Sequence, residues 1–233
     1  MLNLLFSGAV AGEPCERVGL ADVLDVGAPA IIVLGERRGT QPDLWRAQRV
    51  VRGLAARDEV TLALQAVDVS AQGVLDQVPA GTATASDIRG LIAWDDHWPF
   101  PYWPYKPLLA GGRRGVHLVA AGVDPVARPA GQQAPIPPGY ALVLVGAMRE
   151  HPVPVDLEGG FAQTVAWNDF RIAANSVAGW NGRGYLVIVA DLFHVEGGRG
   201  IAWQAERLAT APVHSFVLSG AELACLPGDR VWR

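Results

Sequence analysis

The sequence predicts an α/β fold: a mostly parallel central sheet with helices on both faces, a ligand site at the C-terminal strand ends, and a helical and aromatic loop insertion. Three observations carry this. Six short apolar runs with strand character recur along the chain. Segments with helical spacing and helix-start residues lie between most of them. Half of the 233 residues are hydrophobic and only 18% are charged, which suffices for a sizeable core.

The first run is Ala30 to Leu34, AIIVL. It is continuous rather than alternating, the mark of a strand buried on both faces. Pro42 to Ala56 then places Leu44, Ala47, Val51 and Leu54 on one helical face, and Pro42 suits a first helical turn. Val60 to Val67, VTLALQAV, is the second strand. Ser70 is the N-cap of a helix to Val78, and Ser86 caps another to Ala93. Trp98 to Pro107, WPFPYWPYKP, breaks the alternation with four prolines and five aromatics. Val116 to Ala121, VHLVAA, is the third strand. Asp124 to Tyr140 holds five prolines and reads as an irregular loop. Ala141 to Val145, Tyr185 to Ala190 and Val213 to Leu218 complete the strands. Between them Phe161 to Trp180 is the longest helix, closed by Asn181-Gly182, and Ala202 to Ala209 is the last. This order implies right-handed crossovers. The chain shows no internal repeat and reads as one domain over 1–233, with its core at about 28–220.

Composition bounds the partners. There are 19 Lys and Arg against 23 Asp and Glu, a net charge of −4, so no nucleic-acid partner is expected. No run of eighteen apolar residues exists, so no transmembrane segment is expected. The opening MLNLLFSGAVAGEPC lacks a basic n-region and a lipobox, which leaves a cytoplasmic or a processed periplasmic location open. Cys15 and Cys225 stand far apart with no metal-ligand spacing. They read as structural or free thiols, with a disulfide joining the termini as the other reading.

In an open α/β sheet, ligands gather outside the C-terminal strand ends. The residues there are Gly35 to Thr40, then Gln65 and Asp68, then Gly122, Asp124 and Pro125, and finally Asp191 to His194 followed by Glu196 to Ile201. P-loop, GxGxxG and GxSxG spacings are missing. The turn Gly197-Gly198-Arg199-Gly200 is able to cradle an anion, although a tight strand-to-helix connection explains it as well.

IIVLGERRGTQPDLWRAQ resembles the opening of the ChaN-like haem-binding uptake proteins of the Tiki superfamily, through Gly35, Glu36 and Gln48. LALQAVDVSAQGVLDQVPAG resembles the next block through Gln72, Leu75, Asp76 and Gly81. Trp94, Trp98, Tyr105 and Pro107 resemble the family's aromatic stretch. FAQTVAWNDFRIAANSV resembles its long helix through Gln163 and Asp169. YLVIVADLFHVEGGRGIAWQAERL resembles its last block through His194, Gly200 and Ile201. The resemblance implies a protein of iron uptake that binds haem or another tetrapyrrole as a small-molecule ligand. Self-association as a homodimer is a further expectation.

Several family positions depart from the pattern. The first-motif His falls on Arg38, the next helix's His near Trp45 and Arg46, the strand-two Glu on Gln65, and an Asn on Gly122. In the superfamily's hydrolases, the resemblance implies, such His and Glu residues hold a metal and polarise water. Arginine offers no lone pair and glutamine coordinates weakly, so Glu36 and His194 alone survive of that set and a metal ion is not expected. Glu36 is expected to pair with Arg38 in place of the cation. The residues assigned to the cofactor are His194, Tyr105, Tyr102, Trp98, His97, Arg38, Glu36 and Gln65. The aromatics offer a rigid flat wall, and tyrosine or histidine can ligate haem iron. Arg37, Arg38 and Arg199 make the strand-end pole locally basic and suited to carboxylates. His117 and His214 read as structural strand residues, and His151 as a solvated loop residue. Two rival functions remain: a metal-dependent hydrolase reduced to Glu36, Asp191 and His194, and a non-catalytic interaction domain that uses Tyr102 and Trp103.

Overall fold

The apolar runs at 30–34, 60–67, 116–121 and 185–190 become strands because two layers of helices bury them. The structure, a computed structural model, describes residues 15–123, 129, 131–140, 158–218 and 229–232. Seven strands form one sheet: β1 (Glu16–Val18), β2 (Ala30–Glu36), β3 (Val60–Asp68), β4 (His117–Gly122), β5 (Tyr185–Asp191), β6 (Val213–Val217) and β7 (Arg230–Trp232). Their order is β1-β7-β6-β2-β5-β3-β4, and every pairing is parallel. Nine helices lie among the described residues: α1 (Leu20–Leu24), α2 (Gln41–Ala55), α3 (Gln72–Leu75), α4 (Gln77–Ala80), α5 (Ile88–Leu91), α6 (Trp94–His97), α7 (Lys106–Leu109), α8 (Glu158–Ala178) and α9 (Ile201–Leu208).

Alternate residues of each central strand serve two cores. Ile32, Leu34, Leu62, Leu64 and Val187 face α1, α2 and the aromatic segment. Ile31, Val33, Ala63, Leu186 and Ile188 face α8 and α9. Side chains such as Ile31, Leu34 and Leu62 have no solvent exposure. Each contributes about 1.5–3 kcal/mol by burial.

The crossovers fix the site. The connection from β2 to β3 runs through α2 on one face, and that from β5 to β6 runs through α9 on the other. β2 and β5 are neighbours, with Glu36 opposite Asp191 at their ends. Connections leaving adjacent strands toward opposite faces open a crevice between their C-termini.

Some local expectations change. The helix expected from Ser70 is a 3₁₀ turn, Val69–Ala71, followed by α3 and α4. Its cap is Asp68, whose carboxylate accepts from the Ser70 N–H at 2.8 Å and from the Ser70 hydroxyl at 2.6 Å. Asp87, not Ser86, is the residue before α5, and its carboxylate accepts from the Thr84 N–H and hydroxyl, both at 2.8 Å, rather than capping the helix. An aspartate offers two acceptor oxygens where serine offers one hydroxyl, and at the Val69–Ala71 turn it takes the cap. β1 and β7 were not expected, since three residues are too few for a periodicity signal. Cys15 is disulfide-bonded rather than a free thiol. Asp124, Pro125, Cys225, the run Ala141 to Val145 and His151 lie outside the described residues.

Candidate functional site

Five of the expected site residues converge. Glu36, Arg38, Gln65, Trp98 and Tyr105 line one cleft at the strand ends, together with Phe100 and Asp191. It leaves room for about one water molecule. The crevice is therefore largely filled by its own side chains.

Glu36 closes β2 and is 3% exposed. The Tyr105 hydroxyl donates to its Oε1, while Oε2 has no partner. Burial pushes its pKa up to about 7, against the Tyr105 hydrogen bond and with help from the Asp191 and Asp43 charges. The expected Glu36–Arg38 pair does not form. Arg38 Nε instead donates to Asp191 Oδ2. The reason is placement: Glu36 points into the buried cleft, while the Arg38 side chain is half-exposed beside the end of β5. Asp191 also accepts from the Phe193 N–H at 2.9 Å, so both its oxygens are engaged. Gln65 Oε1 accepts from the Asp191 N–H at 2.6 Å and continues the β3–β5 ladder, whose regular register ends at Leu64 opposite Val189.

The local basicity expected of this pole is largely neutralised. Arg37 and Arg46 both bind Asp43, at 3.0 and 3.3 Å, and Arg38 binds Asp191. Asp43 is fully buried in the first turn of α2. Its position three residues after Thr40, at a helix start behind two arginines, was the sequence signal that went unread. Arg199 sits beside the glycine-rich turn, but that turn holds an internal anion: the Gly197 N–H donates to Asp229 at 2.6 Å.

The aromatic segment packs inward rather than offering a free wall. Trp94 touches Trp98, Phe100, Tyr102 and Tyr105, with ring centroids 5.0–6.3 Å apart. The polar tips are all bonded: Trp94 to Phe100 O, Trp98 to Ala66 O, Tyr102 to Ala85 O, and Tyr105 to Glu36. Burial drives both tyrosine hydroxyls well above their ordinary pKa. Trp103 is exposed, and so is His97.

Behind the cleft lies a second buried set. His194 Nδ1 meets Asp169 Oδ1 at 2.6 Å, and the Tyr140 hydroxyl donates to Asp169 Oδ2. Burial pulls the His194 pKa down, but the Asp169 charge and hydrogen bond outweigh it and the result is raised. His194 and Asp169 thus form a buried hydrogen-bonded pair. Gly200 fits against this pair because a Cβ there would overlap the His194 carbonyl oxygen. Tyr140 was not foreseen. It is the sole aromatic of the proline-rich loop, which is the signal that singles it out.

Haem can be tested against this geometry. A cleft with room for about one water does not admit a porphyrin. Tyr102, Tyr105 and Tyr140 have their hydroxyls engaged, and His194 is buried with its Nδ1 on Asp169. At the rim, His97 is exposed one residue from Trp98. Arg38 uses only Nε internally, which leaves its terminal nitrogens for a carboxylate. The residues therefore fit haem laid on the rim and do not fit an enclosed haem. A larger open hollow of about 820 Å³ lies at the opposite end of the sheet, lined by Pro29, Trp180, Leu208, Pro212 and His214. Among the described residues no three His, Cys, Asp or Glu side chains group as a metal site.

Comparison with known proteins agrees with this architecture. The profile of the family described as haem-binding uptake, Tiki superfamily, ChaN matches residues 25–205. No curated protein sequence matches the chain. Among solved structures, one titled for cofacial haem binding to ChaN of Campylobacter jejuni superposes with a TM-score of 0.68 at 14% identity, covering 91% of this chain and 89% of that one. The type III effector HopBA1 superposes with a TM-score of 0.50 at 12% identity, covering 86% of this chain and 79% of that one.

Proposed function

The chain belongs to the haem-binding uptake family of the Tiki superfamily, and from that premise we propose that it binds haem on the open rim of the strand-end face. The observation that carries this is the family match over residues 25–205. Haem, when bound, would supply an iron that accepts a nitrogen or phenolate ligand. His97 is the accessible imidazole at that rim, and the Arg38 guanidinium is placed to receive a propionate. Trp98 and Phe100 supply the apolar floor. The superfamily's hydrolytic site is degenerate in this reading. Arg38 and Gln65 stand at ligand positions, and both oxygens of Asp191 are held by the protein itself.

Titration with haemin tests the proposal. A saturable Soret shift is expected, weakened about tenfold or more by His97→Ala and less by Arg38→Ala, the scale of one lost ligand or ion pair. No saturable shift ends the haem reading. A loss on His214→Ala with His97→Ala silent moves the site to the opposite hollow.

A further inference from the structure

β4 is the last strand of the sheet, so among the described residues one side of its backbone has no neighbouring strand. An open edge is a template for strand addition by another chain. The run VHLVAA, Val116 to Ala121, suits such pairing because it is apolar, uncharged apart from one histidine, and free of proline. Two copies related by a twofold axis would present this edge to each other antiparallel.

The edge is already occupied by one side chain. Gln72 Nε2 donates to the Leu118 carbonyl at 2.9 Å, and Gln72 Oε1 accepts from the Ala120 N–H at 2.7 Å. These two groups flank Val119 and point to the same side, and a neighbouring strand would bind the same pair. The side-chain amide therefore stands where a partner's backbone would lie. Its remaining N–H donates to Asp76 Oδ1 at 2.8 Å. A carboxylate only accepts, so Asp76 fixes which end of the amide faces which backbone group. The Asp68-capped turn carries Gln72 back over the edge.

We propose that Gln72 is an edge plug that prevents a second copy of this chain from pairing with β4 and extending the sheet. Asp76 is its positioning residue.

The test compares the full chain with Gln72→Met, which keeps length and bulk and deletes both bonds. The expected result is amide exchange at Ala120 about tenfold faster or more, from local loss of a protecting bond. The average mass in solution should also rise with concentration above that of the wild type. Unchanged exchange overturns the proposal. So does faster exchange with a mass curve superimposable on the wild type, since that is the signature of a purely local bond. If Gln72→Met does not fold by circular dichroism, Asp76→Ala is read by the same two measurements. It leaves Gln72 present with its amide free to turn, and a rise in both supports the plug while no change overturns it.

Discussion

Glu36 carries a carboxyl held near pH 7 by burial, with a Tyr105 hydroxyl on one oxygen and nothing on the other. Its folded pKa lies above the unfolded value of 4.5. The native state therefore binds the extra proton between about pH 4.5 and 7, so stability falls as pH rises through that window and levels off above it. Glu36→Gln keeps a carbonyl acceptor for Tyr105 and has no proton to lose. Relative to the wild type it should gain about 2–3 kcal/mol at pH 8 over its standing at pH 4, as denaturant midpoints would show. Parallel pH profiles for the two proteins would refute the assignment. The sequence singled out Glu36, but its partner was not legible there. Two carboxylates, Glu36 and Asp191, compete for one guanidinium, and only the strand register and the depth of each side chain decide between them. Gly122 teaches the same lesson. The resemblance implied an asparagine of the family at this position, yet any Cβ would overlap the Gln65 carbonyl oxygen at an irregularity of β3 that no periodicity announces.

At the scale of elements, the aromatic segment is held to the sheet by its polar tips as well as by its rings. Tyr105 makes the decisive tie, because its hydroxyl donates to Glu36 and accepts from the Gly39 N–H at 3.2 Å. Tyr105→Phe keeps the ring contacts and leaves two buried polar groups without that partner. The expected loss is about 2–4 kcal/mol, read as a lower melting temperature. Trp103→Ala, in the same segment but exposed, should change stability by no more than about 0.5 kcal/mol. Equal effects of the two changes would mean that the segment is a surface strap and not part of the core. The ring content was plain in the sequence. The direction in which the rings face was not, because a proline-stiffened stretch has neither a helical nor a strand period to give it a buried side. The long helices and central strands were legible to within a few residues, since their burial imposes a period. The short helices after β3 were not, because a turn capped by Asp68 and a turn tied by Thr84 to Asp87 set their starts.

For the whole molecule, the strand order determines which chemistry meets which. Only because β5 enters between β2 and β3 do Glu36, Gln65 and Asp191 end side by side, although 155 residues separate the first from the last in sequence. Two of these are carboxyl groups, and the third is an amide that accepts from the backbone of the second. Gln65→Glu preserves that acceptor and its length while adding a third carboxylate to the same crevice. Like charges confined there should destabilise the metal-free variant by about 1–3 kcal/mol at neutral pH. The same charges should attract a divalent cation, so Mn²⁺ at about a hundred times its dissociation constant should return about 2.7 kcal/mol. The melting temperature of Gln65→Glu should thus rise with added Mn²⁺ while the wild type stays flat. Adding Arg38→His should steepen the response, because it replaces a fixed positive charge with a lone-pair donor. If neither variant responds to the cation, these two positions do not govern metal binding at the crevice. The closed packing of Tyr105 over Glu36, which neither change disturbs, would then be what keeps a cation out.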